Sequence, residues 1–290
     1  MISRRKALGL LAAFSLVPGI SRAQGKRIAA IDWAMLETAL ALGASVVAAT
    51  ELKQFRKEAI EPSLPPDITD LGLRGSPNFE LLRLMTPDII LSSPFYARNQ
   101  SKFAEIGQVI SLPFYVKGEP PFEKALAAVA SLGKILGVEA RAETLLAETN
   151  AAIDRYQTDL ARFALRPTYL INIGDARHFR AFGADSMFGD VLVRLGLANA
   201  WMERSQFSFA APVPIERLAE VPEARILIVS DIPVEAREAL KNSILWNALP
   251  AVKNRRVVQL DNVNPHGGVP AAMRFARLFH VALTQHPDAL

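Results

Sequence analysis

The sequence contains no cysteine. That absence excludes disulfide bonds and thiolate metal sites. It also excludes a lipid-modified cysteine, which anchors many exported bacterial proteins to a membrane. Beyond residue 23, no apolar run approaches the ~20 residues that a membrane-spanning helix needs. The sequence therefore predicts a mature protein that is not anchored to a membrane.

The first 23 residues have the three parts of a signal peptide. Ser3–Lys6 is basic, Ala7–Ile20 is almost wholly apolar, and Ser21–Ala23 offers small residues for cleavage after Ala23. The apolar part is shorter than the ~20 residues of a membrane anchor, which makes cleavage the favoured interpretation. The adjacent Arg4 and Arg5 indicate the twin-arginine route. We expect a protein released into the periplasm.

The mature chain has no excess of charge of either sign. The full sequence has 33 Lys and Arg against 29 Asp and Glu, and four of the basic residues lie in the first 23, which leaves 29 against 29. A neutral chain without a basic stripe has nothing to attract a polyanion. Nucleic acid is therefore excluded as a partner.

The common catalytic motifs are missing as well. The sequence has no nucleophile elbow, phosphate loop, dinucleotide fingerprint or His-Glu-x-x-His. Its four histidines include no pair at i, i+4, and no two of its four tyrosines are neighbours, so a site that coordinates bare ferric ion is not expected. We predict no enzymatic activity and no intrinsic cofactor or metal. The turn beginning at His266 faintly resembles an esterase oxyanion hole, which leaves a periplasmic hydrolase as one alternative.

Short β runs and helical stretches alternate in the same order in both halves of the chain. This pattern predicts an α/β fold with two lobes, each with a central sheet and its own core. In the first half a helix is predicted over Asn78–Met85, with Ser76 as its N-cap. The predicted strands are Arg27–Ile31, Val46–Ala49, Ile89–Leu91 and Val109–Leu112, then Thr168–Ile173, Ile226–Val229 and Val257–Leu260.

A long helical stretch separates the two halves. Phe122–Ala164 contains no proline, and we expect two helices that break near Gly137. The predicted division is an N-terminal lobe over 24–138, a linking helix over 139–164 and a C-terminal lobe over 165–290. About 25 helical residues span on the order of 38 Å, enough to join two lobes and to limit their relative motion. The ligand is expected in the cleft between the lobes.

Several motifs resemble one known family. They are Asp70–Arg74, Ser76–Leu82, Pro87–Ile90, Arg177–His178, Phe182–Gly183, Asn199–Trp201, Ile215–Leu218 and Leu245–Pro250. The sequence is similar, over essentially its whole length, to the periplasmic ferric-hydroxamate (ferrichrome-type) siderophore-binding proteins of ABC importers. These belong to the helical-backbone class of solute-binding proteins. The resemblance implies that the iron arrives already held by its siderophore.

The resemblance also implies which residues bind the ligand. The arginine of Gly-Leu-Arg and the tyrosine after the next strand contact hydroxamate oxygens in that family, and they correspond to Arg74 and Tyr96. A guanidinium offers several donors in a fixed fork and stays charged at any relevant pH. A phenol adds one donor and an apolar face.

The sequence departs from the family at several cleft positions. Where ferrichrome-type members carry tryptophan or tyrosine, this chain has Glu58, Ser208, Asn264 and His266. Phe207, Phe209 and Trp33 are candidates to supply the aromatic contacts instead. A more polar cleft suits a smaller or more hydrophilic chelate than ferrichrome, such as another hydroxamate or a mixed carboxylate.

The resemblance implies a function as well. The expected protein is a monomer that captures a ferric siderophore and delivers it to an inner-membrane ABC permease. Docking in this class uses an exposed acid on each lobe. Glu216 is the candidate in the second lobe, and Glu80 or Glu105 is the candidate in the first. One alternative keeps the fold but binds a cobalamin-like corrinoid or haem.

Overall fold

The computed structural model describes residues 25–203, 205 and 212–285. The strands are β1 Ile28–Ala30, β2 Val46–Ala49, β3 Thr69–Asp70, β4 Ile89–Ser92, β5 Gln108–Ser111, β6 Thr168–Ile173, β7 His178–Ala181, β8 Val213–Pro214, β9 Arg225–Ile228 and β10 Val257–Gln259. The helices are α1 Trp33–Ala41, α2 Leu52–Glu58, α3 Phe79–Leu84, α4 Gln100–Ala104, α5 Phe122–Leu136, α6 Glu139–Leu160, α7 Met187–Arg194, α8 Val234–Lys241, α9 Ile244–Ala248, α10 Pro250–Lys253 and α11 Val269–Gln285. Short 3₁₀ turns cover Pro94–Asn99, Ala161–Phe163 and Ile215–Ala219.

The first lobe has a parallel sheet in the order β3-β2-β1-β4-β5. Its central strands β1 and β4 are buried along their whole length, and Ile28 pairs with Ile89. Strands covered on both faces read as continuous apolar runs, which is why these two were recognisable in the sequence.

The second lobe has a mixed sheet in the order β10-β9-β6-β7-β8. Strands β9 and β10 run parallel to β6, whereas β7 and β8 are antiparallel additions at the edge. Neither β7 nor β8 was predicted, because both are short and Pro214 lies in β8. Edge strands of this kind carry little of the alternation that identifies a strand. The predicted class, two α/β lobes with central sheets, is confirmed.

The predicted start of helix α3 was wrong. The helix begins at Phe79, and its N-cap is Asn78, whose Oδ1 accepts from the backbone N–H of Leu81 at 2.9 Å. Asparagine is as good an N-cap residue as serine. Asn78 is the cap here because it directly precedes the first helical residue, whereas Ser76 lies two residues further away.

Helices α5 and α6 lie between the two sheets along the chain. The expected break near Gly137 is confirmed, since α5 ends there with φ at 70°, a backbone conformation that glycine adopts freely. Helix α6 then runs for 22 residues. The C-terminal helix α11 packs against α6, α1, α7 and α5. It therefore reinforces the junction that α6 makes. The sequence analysis did not predict this helix.

The expectation of a separate core in each lobe was wrong. The largest apolar cluster is continuous from the first sheet, through α1, α5, α6 and α11, to the second sheet. Stacked rings of Phe188 and Phe275, 4.7 Å apart, lie within it. Smaller clusters cover the opposite faces of the sheets, because successive strand residues point to alternate sides. The shared core fixes the lobes against one another on the side away from the cleft.

Over the ranges described above, no helix is both long and apolar enough to cross a membrane.

Candidate ligand-binding cleft

A cavity of about 760 Å³ lies between the two lobes. A volume of this size suits a small-molecule ligand. Both lobes contribute charged and aromatic side chains to its lining, among them Trp33, Lys57 and Arg74 from the first lobe and Arg180, Trp201, Arg217 and Arg237 from the second. The segment Asn262–His266, which precedes α11, closes one side.

Arg74 is held rigidly at the cavity wall. Its Nε lies 2.6 Å from Oε2 of Glu51, and its backbone N–H donates to Oε1 of the same carboxylate at 3.1 Å. The guanidinium carbon lies 4.0 Å from the centre of the Trp33 ring. Gly72, with φ at 77°, makes the turn that brings Arg74 back over the sheet edge. Stacking and a two-point carboxylate contact thus fix the guanidinium at the wall of the cavity.

Glu51 holds Arg74 in place and was not among the site residues that the sequence analysis predicted. It precedes α2 with φ at 52°, in the left-handed region, and its backbone N–H donates to the carbonyl of Gly72 at 2.9 Å. Its contact with Arg74 joins residues 23 positions apart. No local motif marks such a partner, so only the folded chain identifies it.

Tyr96 lies behind Arg74. Its side chain is buried and is not part of the cavity lining. Burial, together with nearby Asp32, raises the pKa of Tyr96 to about 12. Arg74 acts in the opposite direction, through its charge and through a side-chain hydrogen bond to the phenol. The phenol is therefore protonated at neutral pH and contacts the guanidinium. Its direct contact with a ligand stays a prediction.

Asn264 and His266 have different environments. The Asn264 amide donates to Oε1 of Glu37 at 2.7 Å, and its Oδ1 accepts from the His266 backbone N–H at 3.0 Å. Both line the cavity. Burial lowers the pKa of His266 to about 4, with a further contribution from Arg74, so the imidazole is neutral at pH 7. The ring lies edge-on to Tyr115, with centroids 5.4 Å apart.

In the second lobe, Arg217 is also stacked on a tryptophan and paired with glutamates, as Arg74 is in the first lobe. The guanidinium of Arg217 lies 4.6 Å from the Trp201 ring centre. Glu203 and Glu220 hold it at 2.8 Å and 2.9 Å. The motifs that carry the family resemblance contain Trp201 and Arg217, yet nothing in them assigned either residue to the site. Their position on the cavity wall comes from the tertiary structure.

The remaining predicted site residues are placed as follows. Trp33 lines the cavity beneath Arg74, and its indole N–H donates to the carbonyl of Thr50 at 3.0 Å. Glu58 lines the cavity and accepts a hydrogen bond from Gln54. Phe207, Ser208 and Phe209 lie outside the described residues.

Within the part of the chain that the structure describes, no group of three or more His, Asp or Glu side chains is arranged to hold a metal ion. The hydrogen-bond donors on the cavity lining include guanidinium, ammonium and amide groups. They suit the outer oxygens of a chelate better than they suit a bare cation.

The chain is similar to known proteins over most of its length. The sequence pattern of a family described as periplasmic binding protein matches residues 28–263. The iron(3+)-hydroxamate-binding protein FhuD of Escherichia coli is 30% identical over 288 residues, which cover 98% of this chain and 97% of that protein. The Fe(3+)-citrate-binding protein YfmC of Bacillus subtilis is 21% identical over 238 residues, covering 81% and 73%.

Among solved structures, the siderophore-binding protein FhuD from Vibrio cholerae, bound to Fe³⁺-Desferal, superposes with a TM-score of 0.81. It is 23% identical, with 89% of this chain and 98% of that chain covered, so it shows the shared fold. The resemblance inferred from the motifs is thereby confirmed, and the chain belongs to the periplasmic binding protein family.

Proposed function

We propose that this protein captures a ferric siderophore of the hydroxamate type in the periplasm and delivers it to an inner-membrane ABC permease. The observation that carries the proposal is the rigid presentation of Arg74 into a cavity of about 760 Å³ between two lobes. The 30% identity to the E. coli hydroxamate-binding relative supports the same ligand class. The protein acts as a binding protein, not as an enzyme.

The chemistry of the ligand explains why a fixed guanidinium is sufficient. A ferric trihydroxamate already fills the six positions around its iron, so the protein recognises only the outer oxygens. Arg74 offers charged donors whose direction is set by Glu51 and Trp33 before the ligand arrives. Little side-chain entropy is then lost on binding.

The location rests on the family and on the sequence. Residues 1–24 lie outside the described residues, and we infer from their pattern that they direct export and are removed after Ala23. The proposed lobe division at residues 138 and 164 places α6 between the two sheets. Because α6 and α11 both cross the junction, we expect small relative motion of the lobes when the ligand binds.

Ligand class is tested by quenching of intrinsic tryptophan fluorescence. The panel consists of ferrichrome, ferrioxamine, a ferric catecholate, ferric citrate, cobalamin and haemin. Trp33 and Trp201 line the cavity, so a bound ferric hydroxamate is expected to quench saturably at micromolar or lower concentration. A response only to cobalamin or haemin would replace the siderophore assignment with a corrinoid or haem. Turnover of esters that is lost in His266→Ala would instead indicate a periplasmic hydrolase.

We further propose that Glu80 and Glu216 dock the protein to its permease. Both side chains are exposed, and among the residues described here neither carboxylate has a cationic partner within 4.0 Å. Reversing both charges, with Glu80→Lys and Glu216→Lys, is expected to reduce uptake by a cell that carries the permease by about tenfold or more, while ligand affinity is unchanged. Glu143→Lys on the exposed side of α6 serves as the control. Uptake equal to that of the control would remove these acids from the docking surface.

A further inference from the structure

A buried carboxyl group behind the cavity joins the two lobes. Glu37, on α1 of the first lobe, is fully buried and does not line the cavity. Its Oε1 accepts from the side-chain amide of Asn264 at 2.7 Å, and its Oε2 accepts from the backbone N–H of Gly268 at 2.8 Å. These contacts join residues 227 and 231 positions apart. The carboxyl group therefore holds, from the first lobe, a segment of chain that arrives from the second sheet.

The segment that Glu37 holds is the one that closes one side of the cavity. We call Asn262–His266 the wall segment; Asn264 and His266 both line the cavity. The Oδ1 atom of Asn264 accepts from the backbone N–H of His266 at 3.0 Å. The side chain of Asn264 thus connects the carboxyl group of Glu37 to the backbone of His266. A displacement of Glu37 is therefore transmitted to both lining residues.

Two glycines allow the chain to approach α1 this closely. A Cβ at Gly267 would collide with both oxygens of the Glu37 side chain. A Cβ at Gly268 would lie 2.9 Å from Oγ1 of Thr38 and 3.1 Å from the carbonyl oxygen of Ala34. Close approach of two backbones is a position where glycine is favoured. The His-Gly-Gly turn, which faintly resembles an oxyanion hole in sequence, is thereby explained by its contact with α1.

The chain is tied to the first lobe at both ends of the wall segment. At its start, the Asn262 side chain donates to the carbonyl of Lys57 at 3.1 Å and accepts from the backbone N–H of Asp231, in the second lobe, at 2.8 Å. Directly after its end, the carbonyl of Gly267 accepts from the hydroxyl of Tyr115 at 2.6 Å. The chain therefore passes from the second lobe to the first within the length of the wall segment.

We propose that Glu37 is a positioning residue for ligand binding, which holds Asn264 and His266 where the bound chelate contacts them. Glu37 acts through Asn264 and does not touch the ligand itself. Because Glu37 and Arg74 belong to the same lobe, two sides of the cavity keep their mutual distance when the other lobe moves. This inference rests on the proposed function and adds to it a residue outside the cavity on which affinity depends.

The test measures ligand affinity and thermal unfolding on the same variants. Glu37→Gln keeps the side-chain volume but replaces one acceptor oxygen with an amide nitrogen that only donates, so one of the two donors loses its acceptor. We expect its affinity for ferrioxamine, measured by calorimetry well below the unfolding midpoint, to fall about fivefold. Leu283→Ala is the control. Leu283 is fully buried near the other end of α11 and outside the cavity lining, so this variant loses stability but keeps wild-type affinity.

A double-mutant cycle determines whether Glu37 acts through Asn264. Asn264→Ala removes the amide from the cavity lining and is expected to weaken binding about tenfold. In that background Glu37→Gln should lower affinity by less than about twofold, because the side chain that Glu37 holds is absent. Gly267→Ala disturbs the same contact from the other side, since its Cβ displaces the Glu37 side chain. It is expected to weaken binding as Glu37→Gln does, and it replaces that variant if Glu37→Gln does not fold.

Three results would overturn the inference. A lower melting temperature for Glu37→Gln, with affinity within about twofold of the wild type, would leave Glu37 with a structural role alone. An equal loss of affinity in Leu283→Ala would trace the effect to stability. Full additivity with Asn264→Ala would show that Glu37 does not act through that residue. In each case the wild-type protein still binds the chelate and the proposed function stands, whereas failure of the wild type to bind any ferric chelate would overturn both.

Discussion

Arg74→Ala is expected to weaken binding of a ferric hydroxamate by about 1.5–3 kcal/mol, the range for hydrogen bonds to a charged group. The guanidinium is the fixed donor of the first lobe, and alanine leaves the outer oxygens of the chelate without it. Calorimetric titration is the appropriate measurement, because removing Arg74 also uncovers Trp33 and changes its fluorescence.

Two further variants show whether position matters as well as charge. Glu51→Gln keeps Arg74 but replaces the carboxylate that orients it, so a smaller loss of affinity is expected. Arg83→Ala removes an exposed arginine that pairs with Glu105 at 3.2 Å, outside the cavity, and serves as the matched control. Affinity in Arg74→Ala equal to that of this control would remove Arg74 from the binding site.

Glu37→Ala is expected to destabilise the fold by about 3–5 kcal/mol, because it leaves buried donors without acceptors. Glu37 lies on α1, fully buried, and its Oε2 accepts from the Gly268 backbone N–H at 2.8 Å. Its other oxygen accepts from the Asn264 amide at 2.7 Å, and the Ala271 backbone N–H contributes as well. Glu37 thus caps the start of α11 from the opposite lobe.

Thermal unfolding measures this effect. A loss of that size is expected to lower the melting temperature by on the order of 10 °C, whereas Glu143→Ala on the exposed side of α6 should change it little. A melting temperature for Glu37→Ala within a degree or two of the control would contradict the capping role.

The pH dependence of stability isolates the same group. Burial raises the pKa of Glu37 from 4.5 to about 8, although its hydrogen bonds act in the opposite direction. A carboxyl with a raised pKa in the folded state contributes stability that is complete below about pH 4.5 and is lost as the pH rises towards 8. His266, whose pKa falls from 6.5 to about 4, contributes stability that is lost as the pH falls through that range. Subtracting the free energy of unfolding of Glu37→Gln from that of the wild type at each pH removes the contribution of His266. The remaining difference should decrease as the pH rises from about 4.5 to about 8.

Much of the fold was predictable because the buried parallel strands and the long linking helix have strong local patterns. Helix α11 was not recognised, and the reason is physical. Its N-terminus follows Gly267 and Gly268 without a local Ser, Thr, Asp or Asn cap, since the cap comes from Glu37, 231 residues earlier in the sequence. Strands β7 and β8 lie at a sheet edge, where short segments carry little periodicity.

The site was predictable to a smaller extent. The family motifs pointed to Arg74 and Tyr96, and the structure places them in contact, with only Arg74 on the cavity lining. Glu51 lies in no motif, because its contact with Arg74 depends on how the start of α2 meets the turn at Gly72. A sequence pattern records residue spacing along the chain, whereas a cleft between lobes depends on contacts over long sequence distances.

Native mass spectrometry of the wild-type protein with a ferric hydroxamate tests the central claim most directly. The account predicts one intact ferric chelate bound to each chain, with a mass increase equal to siderophore plus iron. In Arg74→Ala the fraction of that complex at the same concentrations is expected to be much smaller. Binding of iron without the siderophore would contradict it, as would the absence of any complex with a ferric chelate at concentrations well above the micromolar range.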